Sequence, residues 1–471
     1  MAALVSDAYM SALLKTVYLS GVANNKSQNS PFLSMIDKDT FVGKEMKYAM
    51  QYGNGGNFGS NYAQLVGNKT SGAKNGEWTM TPGYMTGFFN ISQPEILQSE
   101  SDKAAYMKIL ANKMSACFDG MSKTLAMYLY GGENAVIDRL SADVTFATGV
   151  AVGIPVSSAG SIKLDIGSRI VFATKGSQDA AVPSDPLLGA GSYATVTNID
   201  DYEITVMPEA GLNGLTAYKG DYIELYGCRG SNGTNGIQGL EDFIPTIGDR
   251  SDSDARWTQY IATDFRGVDR SVAVNRLAGQ FVKAASTGNH PLTDALMTLL
   301  KKTKRQGGGI NNVLLINDED FDAVQKEADL TRNFITNTDG SAKAKKNAVF
   351  GLNDFSVAFG DATSGDTIID PFCTYGKAYS IDKNDLSFYD MGNMGRVIAP
   401  VSNGQIGKYD IEGVGEQGMG NDPKVSLNTD KLFTVTQSTN GEFGPEFTIA
   451  ANLFGQFALR KTASSGVAVL R

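Results

Sequence analysis

The segment from Glu77 to Leu110 most constrains the fold, because a strand-like pattern changes there into a helix-like pattern within one short stretch. In its first half, apolar or aromatic residues alternate with polar residues or glycine, which is typical of a strand with one apolar face. The apolar positions are Trp78, Met80, Pro82, Tyr84 and Phe88. Residues 46–52 show the same alternation, so the two segments are predicted to pair as a hairpin.

The connection between these two strands is long and polar. Residues 53–77 contain seven glycines and five asparagines. A loop of this length without secondary structure normally has a functional role. A two-stranded ribbon is only marginally stable alone, so we expect the hairpin to find a partner surface on another molecule.

The second half of the opening segment predicts a long helix. Ser99 and Asp102 have capping-box spacing, and the Gly131, Gly132 pair provides a stop. From about Ser101 the helix would extend roughly 45 Å. Apolar side chains at steps of three and four form one stripe along it: Met107, Leu110, Met114, Cys117, Met121, Leu125 and Tyr128.

The rest of the chain changes character twice. Residues 141–236 contain short β-type runs between Gly, Ser and Pro turns, which predicts a small barrel or sandwich. Downstream the pattern is α/β: Pro291 opens a helix, a buried strand follows at 311–317, and a capped helix at 318–330. The C-terminal residues return to β patterns.

Composition restricts the possible chemistry. His290 is the single histidine in 471 residues, so no Ser-His-Asp triad or multi-histidine metal site can be argued, and we interpret it as a loop residue before a helix. The acidic runs 198–203 and 317–322 lack the glycine and glutamate of an EF-hand loop, which favours turns and helix caps. Paired carboxylates of the glycosidase kind remain open, but no pair is singled out. The sequence predicts no catalytic residue, cofactor or metal.

Cysteines and basic residues are interpreted as structural. The cysteines are too few and too far apart for a disulfide framework or a zinc site, so buried positions are expected for Cys117, Cys228 and Cys373. The net charge of −9 argues against tight, non-specific nucleic-acid binding. The basic run 301–305 is expected to compensate a helix C-terminus. Ion pairs between subunits are expected from Arg266, Arg270 and Arg276. No apolar run approaches the roughly 18 residues that span a bilayer.

The order of these parts resembles the major capsid protein of tailed phages, the HK-97 fold family. In that family the hairpin is the E-loop, the long helix is the spine helix of the P-domain, and the α/β unit is the axial A-domain. Similar segments are 80–100, 311–324, 374–392 and 454–470. Two details depart from the family: Asp318 stands where a proline is common, and Arg-Lys-Thr replaces Arg-Asn-Pro near the C-terminus.

The resemblance implies an α+β capsid fold in six parts. They are an N-terminal arm (1–43), an E-loop β-hairpin (44–93), the spine helix (94–140), an inserted small all-β domain (141–236), the A-domain with P-domain connections (237–385), and a return to the P-domain sheet and C-terminus (386–471).

The resemblance also implies a structural function. The chain would assemble with itself as hexamers and pentamers into an icosahedral virion shell enclosing double-stranded DNA, formed in the host cytoplasm. Expected partners are a separate scaffolding protein, a portal at one vertex, DNA bound without sequence specificity, and a decoration protein as a further candidate. The scaffolding protein is expected to be separate because the E-loop begins near Lys44, which leaves no room for a fused one. No membrane partner is expected. Contacts between subunits are expected at Tyr48, Tyr52, Phe58, Trp78 and Tyr84.

Two alternatives stay open at this stage. An encapsulin-type compartment would share the fold but hold enzyme cargo, although such shells usually have shorter chains without the insertion. A carbohydrate-binding or carbohydrate-active protein would hold its ligand in residues 141–236. Some family members link an E-loop lysine to a neighbour's asparagine; Lys69 and Lys74 lie in the loop, but no acceptor is identified.

Overall fold

The computed structural model describes the following residues, together with short pieces between them: 30–54, 73–92, 109–132, 135–173, 191–228, 236–288, 290–308, 312–330, 367–390 and 446–471. They fall into two compact units. The main unit consists of residues 30–84, 124–390 and 455–471, and the small unit contains the described parts of 85–123 and 391–454.

The predicted hairpin is present in the main unit. Strands Met46–Gly53 and Lys74–Met80 pair antiparallel, with Tyr48 opposite Trp78. Alternate side chains of the first strand are half-buried and exposed, as the sequence pattern predicted. The hairpin register is therefore set by one apolar face.

The second strand is shorter than predicted. It ends at Met80, and a separate strand, Gly83–Ser92, begins after Thr81 and Pro82. The alternation continues beyond this break in the opposite phase, because Met85 is buried whereas Tyr84 is 50% and Phe88 69% exposed. The prediction of one apolar face through Tyr84 and Phe88 is wrong, since Pro82 interrupts the ladder and shifts the pattern by one residue.

The long helix spans Ile109–Gly131 and ends at the predicted glycine pair. A side chain at Gly131 would place its Cβ 2.8 Å from the Val136 backbone nitrogen, so the tight exit requires glycine. Strand Val136–Arg139 follows and pairs with Tyr222–Leu225. The capping box at Ser99 lies outside the described residues.

Residues 136–225 belong to the main unit and consist mainly of short strands, as the β-type runs predicted for 141–236 indicate; they are called the β domain below. Its main sheet has six antiparallel strands in the order Val136–Arg139, Tyr222–Leu225, Arg169–Ala173, Ala194–Ile199, Glu203–Pro208 and Val152–Pro155. A short ribbon pairs Val144–Thr145 with Thr216–Ala217. The helix Ser158–Ile162 lies between strands. Among the described residues the two end strands, Val136–Arg139 and Val152–Pro155, do not pair with each other, so the sheet does not close into the predicted barrel, and the predicted sandwich stays a prediction.

The α/β sheet has five strands, in the order Gln280–Lys283, Gly466–Val469, Lys377–Asp382, Asn312–Ile316 and Thr367–Ile369. Helices Pro291–Lys302 and Asp318–Leu330 cover it, and their apolar side chains share one core with the strands. The basic residues 301–305 lie where the helix passes into a π-helical turn, Thr303–Gly307, as predicted for a helix end. Gly466–Val469, near the end of the chain, belongs to this sheet, whereas the end of strand Glu446–Leu459 pairs with Leu386–Asp390 in a different sheet.

The remaining elements complete the two units. In the main unit, Asp37–Thr40 pairs parallel with Leu386–Asp390, which pairs antiparallel with the end of strand Glu446–Leu459. Short helices are Pro31–Met35, Leu240–Phe243, Ala255–Ala262 and Val274–Leu277. In the small unit, Phe433–Ser438 pairs with the beginning of Glu446–Leu459. Among the described residues, no helix has the length and apolarity needed to cross a membrane.

Candidate assembly site

An aromatic cluster lies at the root of the hairpin, the end of the two strands where Met46 pairs with Met80 and Tyr48 with Trp78. The ring of Trp78 is 0% exposed, and its centroid lies 5.5 Å from Tyr48, 5.6 Å from Phe243 and 5.8 Å from Phe265. Phe243 extends the cluster to Phe457 at 5.7 Å. Edge-on aromatic pairs add about 0.5 to 1.5 kcal/mol each beyond their buried area. The hairpin root is therefore part of the chain's own core.

Two arginines complete the aromatic cluster. The guanidinium of Arg266 lies 4.8 Å from the Phe243 ring centre, and that of Arg270 lies 4.3 Å from the Phe265 ring centre. Arg270 is 2% exposed, and its Nη1 donates to the Asp242 carbonyl at 2.8 Å. Burial raises the pKa of the Asp242 carboxyl to about 6, against the opposing effect of its Gly239 hydrogen bond and both arginines.

The expectation of ion pairs between subunits is wrong for Arg270, which is buried inside the chain, and it stays a prediction for Arg266 and Arg276. Arg266 and Arg270 are used inside the chain, where stacking on aromatic faces offsets the loss of hydration. Arg276 is exposed, but its Nη1 donates to the carbonyl of Tyr52 in the hairpin. Arg276 therefore helps to attach the hairpin to the main unit.

Backbone hydrogen bonds fix the hairpin root as well. The Thr79 nitrogen donates to the Arg266 carbonyl at 3.0 Å. The Gln456 side chain donates to the Thr81 carbonyl at 3.1 Å and accepts from the Gln238 nitrogen at 2.8 Å. A Cβ at Gly83 would lie 2.6 Å from the Gly236 carbonyl oxygen, so only glycine permits this approach. These contacts hold the end of the second hairpin strand and the residues that follow it.

The five residues predicted to contact neighbouring subunits have different surroundings. Trp78 is enclosed, and Tyr48 is half-buried against it, with burial raising the pKa of its hydroxyl. Tyr52 is half-buried, and Tyr84 is 50% exposed. Phe58 lies outside the described residues. The structure assigns Trp78 an intramolecular role first, and the intersubunit role of the set stays a prediction.

A buried carboxylate joins the segment before the hairpin to the end of the long helix. Asp370 is 0% exposed and accepts hydrogen bonds from the Ser30 hydroxyl, the Phe32 nitrogen at 3.1 Å and the Tyr130 hydroxyl at 2.9 Å. The Phe372 nitrogen donates to its other oxygen at 2.9 Å. These partners lie up to 340 residues apart, so no local pattern pointed to them.

A second buried network lies between the short helix Leu240–Phe243 and the α/β sheet. Lys377 Nζ lies 2.9 Å from Glu241 Oε2 and 2.8 Å from Thr246 Oγ1. The Tyr379 hydroxyl donates to the same Glu241 oxygen at 3.1 Å. Burial lowers the pKa of Lys377 to about 8, against the stabilising effect of Glu241. Every charged atom here has a partner, which is the condition for burying an ion pair.

The predicted turn and cap roles of other polar residues are confirmed. His290 precedes helix Pro291–Lys302, and its carbonyl accepts from the Asp294 nitrogen at 3.0 Å. Asn317 Oδ1 accepts from the Glu319 nitrogen at 3.1 Å at the next helix start. Of the three cysteines, Cys373 is buried and the other two are half-buried. In the described part of the chain, no group of three or more His, Cys, Asp or Glu side chains could hold a metal ion.

No protein-family model matches this sequence, and no curated protein matches it. Solved structures do: the capsid asymmetric unit of cyanophage A-1(L) superposes with a TM-score of 0.50 and 14% sequence identity, over 98% of this chain and 97% of that chain. The chain has a phage-capsid fold. The phage-capsid fold inferred from the order of sequence elements is thereby confirmed.

Other solved structures with lower scores are also capsids. The capsid of the native GTA particle matches with a TM-score of 0.44 and 8% identity, over 97% of this chain and 95% of that chain. The procapsid of satellite phage P4, which includes the size determination (Sid) protein, matches with a TM-score of 0.36 and 10% identity, over 100% and 97%. Scores at this level do not by themselves define a common fold.

Proposed function

We propose that this chain is the major capsid protein of a tailed phage, which assembles as hexamers and pentamers into an icosahedral shell around double-stranded DNA. The observation that carries the proposal is the match to a phage capsid subunit over nearly the whole length of both chains. Shell subunits gain much of their stability from surfaces that meet neighbours. A hairpin whose strands are joined by a long polar connection is suited to that use.

The proposal assigns the chain a structural role without a catalytic step. Its two buried ionic networks, around Asp370 and Glu241, are satisfied by hydrogen bonds within the chain. Such closed networks specify packing, whereas a catalytic group needs access to a substrate. Neither the encapsulin nor the carbohydrate alternative is favoured by a specific feature of the structure.

The proposed partners follow from the proposed capsid function. They are other copies of the chain, a separate scaffolding protein, a portal at one vertex, a decoration protein and packaged DNA, in a virion assembled in the host cytoplasm. The net charge of −9 supports an inner wall that does not bind DNA tightly. The β domain would brace neighbours or lie on the outer surface.

Electron microscopy of negatively stained samples tests the proposal. The chain is expressed with and without a candidate scaffold gene, beside a variant in which Asn-Gly replaces residues 54–73. Gly53 and Lys74 are register partners, so a two-residue turn can close the shortened hairpin. The wild type should give closed shells or rings, and the variant should fold but assemble poorly.

Thermal unfolding of the unassembled subunits is the control for that variant. Because the aromatic cluster lies at the root, the shortened chain should melt within a few degrees of the wild type. Small, monodisperse wild-type particles under all expression conditions would contradict the capsid function. Normal shells from the shortened variant would instead remove the hairpin from the assembly role.

A further inference from the structure

A basic cavity lies beside the hairpin root in the main unit. Its volume is about 340 Å³, and its lining includes the outer hairpin residues 50–54 and residues 460–463. Its charged lining side chains are those of Arg276, Arg460 and Lys461, and none of the lining residues that the structure describes carries a carboxylate. The apolar part of the lining includes Met50 and Leu277. The cavity thus combines positive charge with an apolar wall.

The three cations differ in what else they contact. Arg276 donates to the Tyr52 carbonyl. Arg460 donates to the Tyr389 hydroxyl and lies 3.7 Å from Asp39. Lys461 is exposed, and among the described residues it forms no ion pair. Of the three cations, Lys461 is therefore the one best able to pair with an incoming anion, and Arg276 lines the same cavity.

We propose that this cavity receives carboxylates from a second copy of the chain, supplied by the acidic turn at residues 200–203 of its β domain. This inference rests on the proposed shell function, which brings copies into contact. The cavity lining contains no residue of the β domain, so a subunit's own acidic turn does not fill its own cavity.

The acidic turn fits the cavity in charge and in shape. Asp200, Asp201 and Glu203 are exposed, and Tyr202 is 64% exposed between them. Its carboxylates can pair with the cavity's cations, while the Tyr202 ring can cover the apolar wall. Tyrosine and arginine are both enriched where proteins bind each other.

The acidic turn is also held in one conformation before binding. The Asp200 nitrogen donates to the Glu203 carbonyl at 2.8 Å. The Asn198 side chain donates to an Asp200 carboxylate oxygen at 3.2 Å, and the Ser161 hydroxyl donates to the Asp201 carbonyl at 3.1 Å. A preorganised turn loses little conformational entropy on docking. The Asp201 carboxylate is the one least committed to bonds within the turn.

Nucleic acid is the less favoured occupant. Binding to DNA gains strength from many phosphate contacts along an extended basic surface. Here three cations line a small concave space in a chain of net charge −9. A single turn from another protein chain matches this geometry better than a duplex does.

A one-for-one charge exchange tests the inference in the full-length chain. Lys461→Glu and Asp201→Lys are made singly and together, with Lys326→Glu, an exposed lysine outside the cavity lining, as the matched control. Each single change should lower shell yield in sucrose gradients about tenfold or more, because like charges then meet. The combined variant should recover to within about threefold of the wild type, since opposite charges meet again.

Each other outcome has a defined meaning. Wild-type yield from Lys461→Glu, or failure of the combined variant to recover while both single variants melt normally, would overturn the docking. Intact shells with altered DNA retention would also overturn it and point to phosphate binding. If the wild type itself forms no shell, the proposed function fails; if the wild type assembles and the exchange has no effect, only the docking inference fails.

Discussion

Tyr48 and Trp78 are opposite each other in the hairpin register, with ring centroids 5.5 Å apart and ring planes at 70°. The Tyr48 side chain is half-buried, whereas that of Trp78 is 0% exposed. The pair therefore joins the two strands to each other and, through Phe243, to the core of the main unit. This attachment stabilises the hairpin, because an isolated two-stranded ribbon is only marginally stable.

The first prediction concerns Trp78. We expect Trp78→Ala to lower the free energy of unfolding of the unassembled subunit by about 3 to 5 kcal/mol, because it leaves a cavity among three aromatic rings. Trp78→Phe keeps an aromatic ring and should lose clearly less. Urea unfolding followed by circular dichroism measures both. A loss below about 1 kcal/mol for Trp78→Ala would show that the cluster contributes little to folding.

The second prediction concerns Tyr84, which is 50% exposed just beyond the hairpin root. Tyr84→Ala should change the free energy of unfolding by less than about 0.5 to 1 kcal/mol, as surface substitutions do. Its shell yield should nevertheless fall, because an exposed aromatic is a frequent anchor at interfaces. Gradient sedimentation against the wild type measures the yield. Unchanged assembly would remove Tyr84 from the intersubunit contacts.

The sequence predicted the elements whose signal is local. The alternation in residues 46–52 and around Trp78 predicted the hairpin, and the Gly131, Gly132 pair predicted the helix end. The continuous strand through Tyr84 failed because Pro82 shifts the alternation by a single residue. An alternation of period two does not indicate which face of the strand is apolar after such a break.

The parts that could not be predicted depend on distant partners. Asp370 binds Ser30 across 340 residues, and strand Gly466–Val469 joins a sheet formed mainly by residues 280–382. Neither pairing leaves a periodic signal. Arg270 was expected to form an ion pair between subunits, yet stacking on Phe265 and Tyr260 accommodates it in the core. Burial of a charge is visible only when its partners are known.

The third prediction concerns the ion pair of Lys377 and Glu241. Lys377→Met should lower the free energy of unfolding by about 3 to 5 kcal/mol, because it leaves the Glu241 carboxylate buried without its cation. Glu241→Gln combined with Lys377→Met should recover part of that loss, since no isolated charge remains. A double-mutant cycle in urea measures the coupling. Additive losses from the two single changes would contradict the pairing.

The fourth prediction concerns the pH dependence of Asp320, which is 1% exposed and lies 3.2 Å from Arg471. Burial raises the pKa of its carboxyl from 3.8 to about 6, although the hydrogen bond from the Gly376 nitrogen and the charge of Arg471 oppose this. Between these pH values the folded chain binds more protons than the unfolded chain, so stability should fall as the pH rises from about 4 to 6.

The variant Asp320→Asn tests this, because an asparagine cannot titrate. Between pH 4 and 6 its free energy of unfolding should fall by about 1 to 3 kcal/mol less than that of the wild type. Asp242 titrates in the same interval in both proteins, so the difference between their urea-unfolding profiles isolates Asp320. Asp322→Asn, an exposed position on the same helix, is the control; equal slopes for wild type and Asp320→Asn would show that this carboxyl is not protonated in the fold.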